Sequence, residues 1–394
     1  MLWLLSIGSF GIAFLLSWGL NWLALIPWRR TVGRHWTERA RLSYPVGNSA
    51  RLNTWMIAAN LSLSSYILFP QVNFFIVAIS GFLGSLLARY FLSREIYQDL
   101  KFKLWFHLAI SWQLLFFPSF YLLLITAFIL PDHFVPLTWI IAGIVLGIMV
   151  ANYFGLRLAM LRWFRILHPA PDHLNALVME VSQKMGIPVR RIWILSSYVG
   201  NAVAYPQFRE LIFTDKLLAI LSDNEIKAVC AHELAHLTES GIVLMIRGTM
   251  LFMFYPLIFF RPLASLGDMG SDIFTFLLLG ILLLSFVGTR VARRMEKRAD
   301  KIAVENQADQ AVYARALERL YQSSQIPAVM SSLSNKVHPN LYDRMLAAGV
   351  TPDYPKPLPA YGQCWTCYLM MVCLIVVPSL ILAVKCALLS VTPP

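Results

Sequence analysis

The stretch "AHELAH", residues 231–236, sets His232 and His236 four positions apart with Glu233 beside the first. On a helix, residues four apart share a face, so two imidazoles at this spacing can hold one cation between them. Zinc accepts such nitrogens at about 2.0–2.1 Å and, in catalytic sites, takes a third protein ligand and keeps one position open. A glutamate next to the first histidine reaches the water on the metal rather than the metal itself, and can take the proton that the metal has made acidic. It can later return that proton to a leaving amine. Downstream, "RRMEKRAD" offers Glu296 as the third ligand. Asp300 follows four residues on, on the same helical face, placed to accept a ring N–H from a ligand histidine. The expected cofactor is one Zn²⁺ per chain, although Mn²⁺ and Co²⁺ suit similar ligand sets.

Those residues must be positioned by a chain of unusual composition. Of its 394 residues 58% are hydrophobic and only 14% charged, with a formal charge of +12. A soluble chain lies nearer half apolar and a quarter charged, so the excess points to a bilayer. The basic balance does not read as nucleic-acid binding, because Lys and Arg cluster beside apolar runs, as in membrane topology. Five cysteines make no disulfide framework in a chain this long. Cys364 and Cys367 form a CxxC with no second pair, and no role is expected for them. Residues 2–28 lack a basic n-region and a cleavage site, so they read as a retained helix rather than a signal peptide.

Runs of about 20 apolar residues, the length needed to cross a bilayer, fall near residues 2–28, 53–70, 73–92, 104–130, 136–160, 241–262, 272–290 and 365–389. The loop after the first carries Arg29, Arg30, Arg34, Arg39, Arg41 and Arg51, and Arg94, Lys101 and Lys103 follow the third. The short loops "PQVN", "PDHFVP" and "LASLGDMGSD" have no Lys or Arg. Basic loops stay cytoplasmic, and with eight spans every basic loop falls on one side. Both termini then lie on the other side.

The remaining segments have the composition of a soluble domain. "DHLNALVMEVSQKMG" has helical spacing and stops at Gly186 and Pro188. "RRIWILSS", "NAVAYP" and "RELIFT" read as strands. Ser222 and Glu225 form a capping box that opens the AHELAH helix. "RVARRMEKRADKIAVENQ" and "AVYARALERLYQ" read as two further helices. Arg247, inside the sixth run, should face protein or water. Trp3, Trp18, Trp22, Trp28, Trp139 and Trp365 suit interfacial anchoring. The expected fold is a mostly α polytopic membrane protein of about eight transmembrane helices with a cytoplasmic α+β zincin-type catalytic domain. Its expected parts are a membrane region (1–161), a first catalytic segment (162–240), a transmembrane hairpin (241–290), a second catalytic segment (291–363) and a last transmembrane helix (364–394).

Residues 170–350 resemble the membrane-bound M48 zinc metallopeptidases, which include HtpX-type quality-control proteases and Ste24-type CAAX-processing proteases. "GNAVAY" is similar to that family's Asn-Ala edge strand, "AHELAH" to its zinc helix, "EKRAD" to its ExxxD motif and "HPNLYDR" to its late His-Pro…Arg motif. A transmembrane hairpin between the zinc helix and ExxxD completes the resemblance. It implies zinc on His232, His236 and Glu296, with Glu233 as general base. Asn201 and His338 would approach the scissile carbonyl or its oxyanion, and Arg344 would be a charge partner of the site. The strand from Asn201 to Tyr205 would pair with an extended substrate. The chain departs from the family where "AVAYPQF" replaces a glycine after that strand, and in having more membrane spans. The reading is a membrane zinc endopeptidase acting on membrane or membrane-associated polypeptides, for quality control or processing. A bacterial inner membrane is favoured over an organelle membrane. The partners are the bilayer and the polypeptide substrate, not nucleic acid, and no acyl-enzyme is expected. A CAAX-type processing protease, a catalytically silent zinc-binding scaffold and a transporter with a zinc domain are the rivals.

Overall fold

The computed structural model describes residues 2–391 other than 72, 112–121, 124, 125, 128, 308, 310 and 332–337. Among the described residues, six helices are long and apolar enough to cross a membrane: Trp3–Ala24, Phe74–Ile96, Pro136–Trp163, Gly241–Ala264, Asp268–Glu305 and Trp365–Leu388. Phe276, Leu282 and Ile375 stand exposed on them, which water would penalise and lipid would not. The expected span at 104–130 opens with the helix Phe102–Ser111, and much of the rest of it lies outside the described residues.

The expected span at 53–70 is the latter part of a longer helix, Trp36–Leu68. Arg39, Arg41 and Arg51 therefore sit on a helix and not, as expected, in a loop. The His35 side chain accepts from the Thr37 N–H to cap the helix start, and Arg41 pairs with Glu38 one turn away at 2.6 Å. This helix is too polar to face lipid along its length, and its polar groups have a different use. Asn53 donates to Thr366 at 3.1 Å, Asn60 to the Cys373 carbonyl at 2.6 Å, and Ser49 to Gln363 at 3.0 Å. Such bonds join helices where no hydrophobic force does. The first helix packs on Phe74–Ile96 so closely that a Cβ at Gly84 would strike the Phe10 carbonyl.

The helix Asp268–Glu305 runs unbroken for 38 residues. At 1.5 Å per residue it is about 57 Å long, against about 30 Å of hydrocarbon. Its second half, with Glu296 and Asp300, therefore extends well past any span that its first half makes. It passes through the boundary expected at residue 290 without a break.

The helix Asp223–Leu237 packs against the long helix and against a four-stranded sheet of order β1-β2-β4-β3, with β1 Leu167–Pro169, β2 Arg191–Leu195, β3 Ala202–Tyr205 and β4 Glu210–Thr214. β2 and β4 run parallel, and β1 and β3 are antiparallel edges. Three of these strands were legible from β-branched runs. β1, three residues long, was not. The helix Asp172–Met185 ends at Gly186, whose φ of 66° closes its last turn as only glycine does without strain. Leu174, Val178, Phe213, Leu217, Ala231 and Leu234 form the core between this helix, the sheet and the helix Asp223–Leu237. Cys230 is buried in the same core, and burial pushes its thiol well above the usual value.

Candidate metal centre

The helix that carries AHELAH starts where its capping box predicts. The Ser222 N–H and Oγ–H both donate to Glu225 Oε2, at 2.9 and 2.8 Å. From there to Leu237 it is buried on almost every side, packed against Asp172–Met185, β3, Asp268–Glu305 and the helix Ala311–Ser323. At its end Arg298, from the long helix, donates to the Ala235 carbonyl at 3.4 Å and to Thr238 Oγ1 at 2.7 Å. The Ala235 carbonyl also accepts from the Thr238 N–H at 3.2 Å and the Thr238 hydroxyl at 2.8 Å, so Arg298 ties the long helix to an end that is already capped.

His232, His236 and Glu296 converge, each less than a tenth exposed. The two Nε2 atoms are 3.3 Å apart. Glu296 Oε2 lies 3.7 Å from His232 Nε2, and Oε1 lies 3.6 Å from His236 Nε2. A tetrahedral cation with bonds of about 2.0–2.1 Å separates its ligands by about 3.3 Å. Two nitrogens, each facing a different oxygen of one carboxylate, are the donor types that suit Zn²⁺, and all three groups can offer an atom within 4.8 Å of the others.

What fixes the ring nitrogens decides whether the site can bind. Tyr313 has one hydroxyl proton, which it donates to Asp300 Oδ1 at 2.7 Å. Its oxygen then accepts from Arg344 Nη2 at 2.8 Å and from His232 Nδ1–H at 2.8 Å. Asp300 Oδ1 is also 3.1 Å from that Nδ1. The network therefore assigns the proton to Nδ1 and leaves the His232 Nε2 lone pair for a metal. Arg344 holds Asp300 from behind through Nε at 2.9 Å and Nη2 at 2.6 Å. Burial pushes the Tyr313 phenol well above its usual range despite the pull of Arg344, so it stays protonated.

His236 is fixed from the other side. Its Nδ1 is 2.7 Å from Glu239 Oε1, and the Glu239 side chain is fully buried. Arg247 pairs with the same oxygen at 2.8 Å. Burial lowers the His236 pKa, but the Glu239 hydrogen bond and the Glu233, Glu296 and Glu239 charges raise it more, so it lies above 6.5. Around these groups a cleft of about 440 Å³ opens, lined by the edge strand from Asn201 to Ala204, by Glu233 and by His338.

Residues 171–349 match the family model described as peptidase family M48. This stretch is similar to a peptidase M48 domain. A protein called Protease HtpX homolog from Polynucleobacter necessarius subsp. necessarius (strain STIR1) is 29% identical over 160 residues, 38% of this chain and 56% of that one. Another of that name, from Acaryochloris marina (strain MBIC 11017), is 26% identical over 210 residues, covering 44% and 70%. A third, from Sulfurihydrogenibium sp. (strain YO3AOP1), is 25% identical over 240 residues, covering 54% and 80%. The chain spans little more than half the length of the first of these. The chain thus combines membrane-length helices with a stretch similar to the HtpX homologues of family M48.

Within that stretch the residues singled out from sequence come together around one cleft. His232, His236, Glu296, Glu233 and Arg344 line it, as do Asn201 and His338, and Asp300 stands behind His232. His338 meets a neighbour that the sequence did not suggest: its Nδ1 is 2.8 Å from Glu296 Oε2. The Asn201 backbone is tied to β4, its N–H donating to Thr214 Oγ1 at 2.8 Å. Sequence reasoning passed over Glu239 and Tyr313. Glu239 lies three residues beyond His236 and just past the helix end, a spacing that could have marked it. Tyr313 occupies an apolar-spaced position on a distant helix and reads as ordinary core. Arg247, expected to face protein or water, pairs with Glu239 and also lines the cleft.

Proposed function

We propose that this chain is a membrane-integrated zinc endopeptidase whose M48 domain works at the cytoplasmic face on membrane or membrane-associated polypeptides. The convergence of His232 Nε2, His236 Nε2 and the Glu296 carboxylate, with contacts of 3.3, 3.7 and 3.6 Å, carries the reading. The outward nitrogen of each ring is occupied by a buried acceptor, so both lone pairs face inward. A zinc ion held there would supply Lewis acidity, polarising a carbonyl and making water easier to deprotonate.

The chain's own residues would do the rest. Glu233, buried beside the ligands, takes a proton from the attacking water and hands it to the departing amine. β3 is one edge of the sheet and lines the cleft. An extended peptide adding to it is read by its backbone, which suits an enzyme of broad sequence tolerance. Asn201 and His338, at the same cleft, are placed to steady the carbonyl oxygen as charge builds on it. His338 also donates Nδ1–H to Glu296 and keeps that carboxylate turned inward, so only its protonated ring has a second N–H for that oxygen. Asp300 and Arg344 act through His232 and do not touch the substrate.

The test is cleavage of an unfolded membrane-protein reporter by the full chain in detergent. Cleavage should stop on treatment with a zinc chelator and return with stoichiometric Zn²⁺. Cleavage that resists the chelator would contradict the proposal. A soluble unfolded reporter run in parallel shows whether a membrane segment in the substrate matters.

A further inference from the structure

A second cavity, of about 360 Å³, adjoins the catalytic cleft and shares Val199, Asn201 and Ile326 with it. It lies between the membrane helices and the M48 domain. Asn48 and Arg51 of the helix Trp36–Leu68, Arg89 of Phe74–Ile96, and Trp105 form one wall, and Leu195 and Tyr198 stand on the other. Arg51 and Arg89 are its charged residues, and among the described residues no Asp or Glu lines it. Arg89 is buried with its guanidinium 5.7 Å from the centre of the Trp105 ring, and Arg51 bonds the Asn48 side chain. Burial raises the Tyr198 phenol against the opposing pull of Arg89 and Arg51. The volume is that of a small ligand site, and its mix of apolar wall and a few placed polar groups is that of a selective one.

Its occupant follows from its position. A peptide that adds to β3 antiparallel, as β4 already does, runs against the direction from Ala202 to Tyr205. The residues on the C-terminal side of the cleaved bond then pass Ala202 toward Asn201 and Val199, where the second cavity begins. We propose that this cavity is a subsite for a carboxylate downstream of the cleaved bond, with Arg51 and Arg89 as its specificity residues. The reading rests on the peptidase assignment above. The carboxylate has two sources, an acidic side chain or the free C-terminus of the substrate. A guanidinium is the side chain that pairs with either most strongly.

The test uses the full-length, zinc-loaded Glu233→Gln protein in detergent, which is expected to bind peptide without turnover. Three short fluorescent peptides share one apolar sequence: one ends in a free carboxylate, one in an amide, and one in an amide with a single internal Glu. At least one of the two carboxylate peptides should bind roughly tenfold or more tighter than the neutral amide, and which one names the source. Adding Arg51→Gln should collapse that ratio to within about twofold, while Arg51→Lys should keep part of it. Arg51 is exposed, so its variants test the point even if Arg89→Gln does not fold. Equal binding of all three peptides would overturn the proposal. So would displacement of all three alike by nanodiscs of phosphatidylglycerol, which would assign the cavity to a lipid headgroup. Turnover by the protein with Glu233 intact is read separately. Absence of cleavage there contradicts the peptidase assignment, and the binding ratio still decides the subsite.

Discussion

Glu239→Gln keeps the shape of the side chain and removes the charge that faces His236. The contact at 2.7 Å is to a carboxylate with no solvent exposure. A hydrogen bond of that charged kind contributes about 1.5–3 kcal/mol, and its neutral replacement about 0.5–1.5 kcal/mol. The difference of about 1–1.5 kcal/mol predicts that zinc binds about tenfold more weakly, at the lower end of what outer-shell partners contribute. Arg247 also loses its partner, but its side chain is 37% exposed. Water can take over there, and that loss adds little. The pH dependence has a definite sign. In the metal-free protein the three carboxylates lift His236 above 6.5, and a protonated ring cannot bind zinc. The variant loses part of that lift, so its ring sheds the proton at lower pH and competes less. The gap between the two proteins should be widest above the raised pKa and narrow in acid. Chelator competition from about pH 6 to about pH 8 reads both quantities. Equal affinities across that range, or a gap that widens in acid, would refute the reasoning.

Other outcomes follow from the same geometry. The raised His236 pKa gives the metal-free protein stability that is fully present below 6.5 and is lost as pH rises through the folded value. Zinc needs the neutral ring, so the rise in Tm on adding zinc should grow with pH, as thermal unfolding with and without the metal would show. Arg344→Gln leaves the Asp300 carboxylate buried without its cation and should cost about 3–5 kcal/mol, measured by denaturant unfolding. A loss below about 1 kcal/mol would mean that the pair is not buried as described. Gly84→Ala forces a methyl onto the Phe10 carbonyl and should destabilise the helix pair by about 1–3 kcal/mol. Gly143→Ala, which meets nothing within 4 Å inside the helix Pro136–Ala151, is the control and should leave stability unchanged or raise it by up to about 1 kcal/mol.

The parts of this molecule that were legible in the sequence are those where one local rule acts alone. HExxH places two ligands by helical spacing, the Ser222–Glu225 capping box marks where that helix starts, and three strands announce themselves by β-branched runs. Asp300 was legible because it shares a helical face with Glu296. The misreadings arise where distant parts of the chain decide. The helix Trp36–Leu68 looks like a basic loop followed by a weak span because its polar residues answer partners more than 300 positions away, at Gln363, Thr366 and Cys373. Tyr313 looks like core because its hydroxyl has a function only once Asp300, Arg344 and His232 are brought around it. Glu239 sits just past the helix end, where periodicity stops being a guide.

The central claim is that a metal on His232, His236 and Glu296 and a proton acceptor at Glu233 together hydrolyse peptides. One measurement joins the two: zinc content and reporter cleavage by the protein as it stands, beside Glu233→Gln, in the same detergent. Equal zinc in both proteins, at one ion per chain, with cleavage lost only in the variant, is the predicted result. Equal cleavage by both would contradict the account, because the residue assigned the proton would then have no part in the reaction.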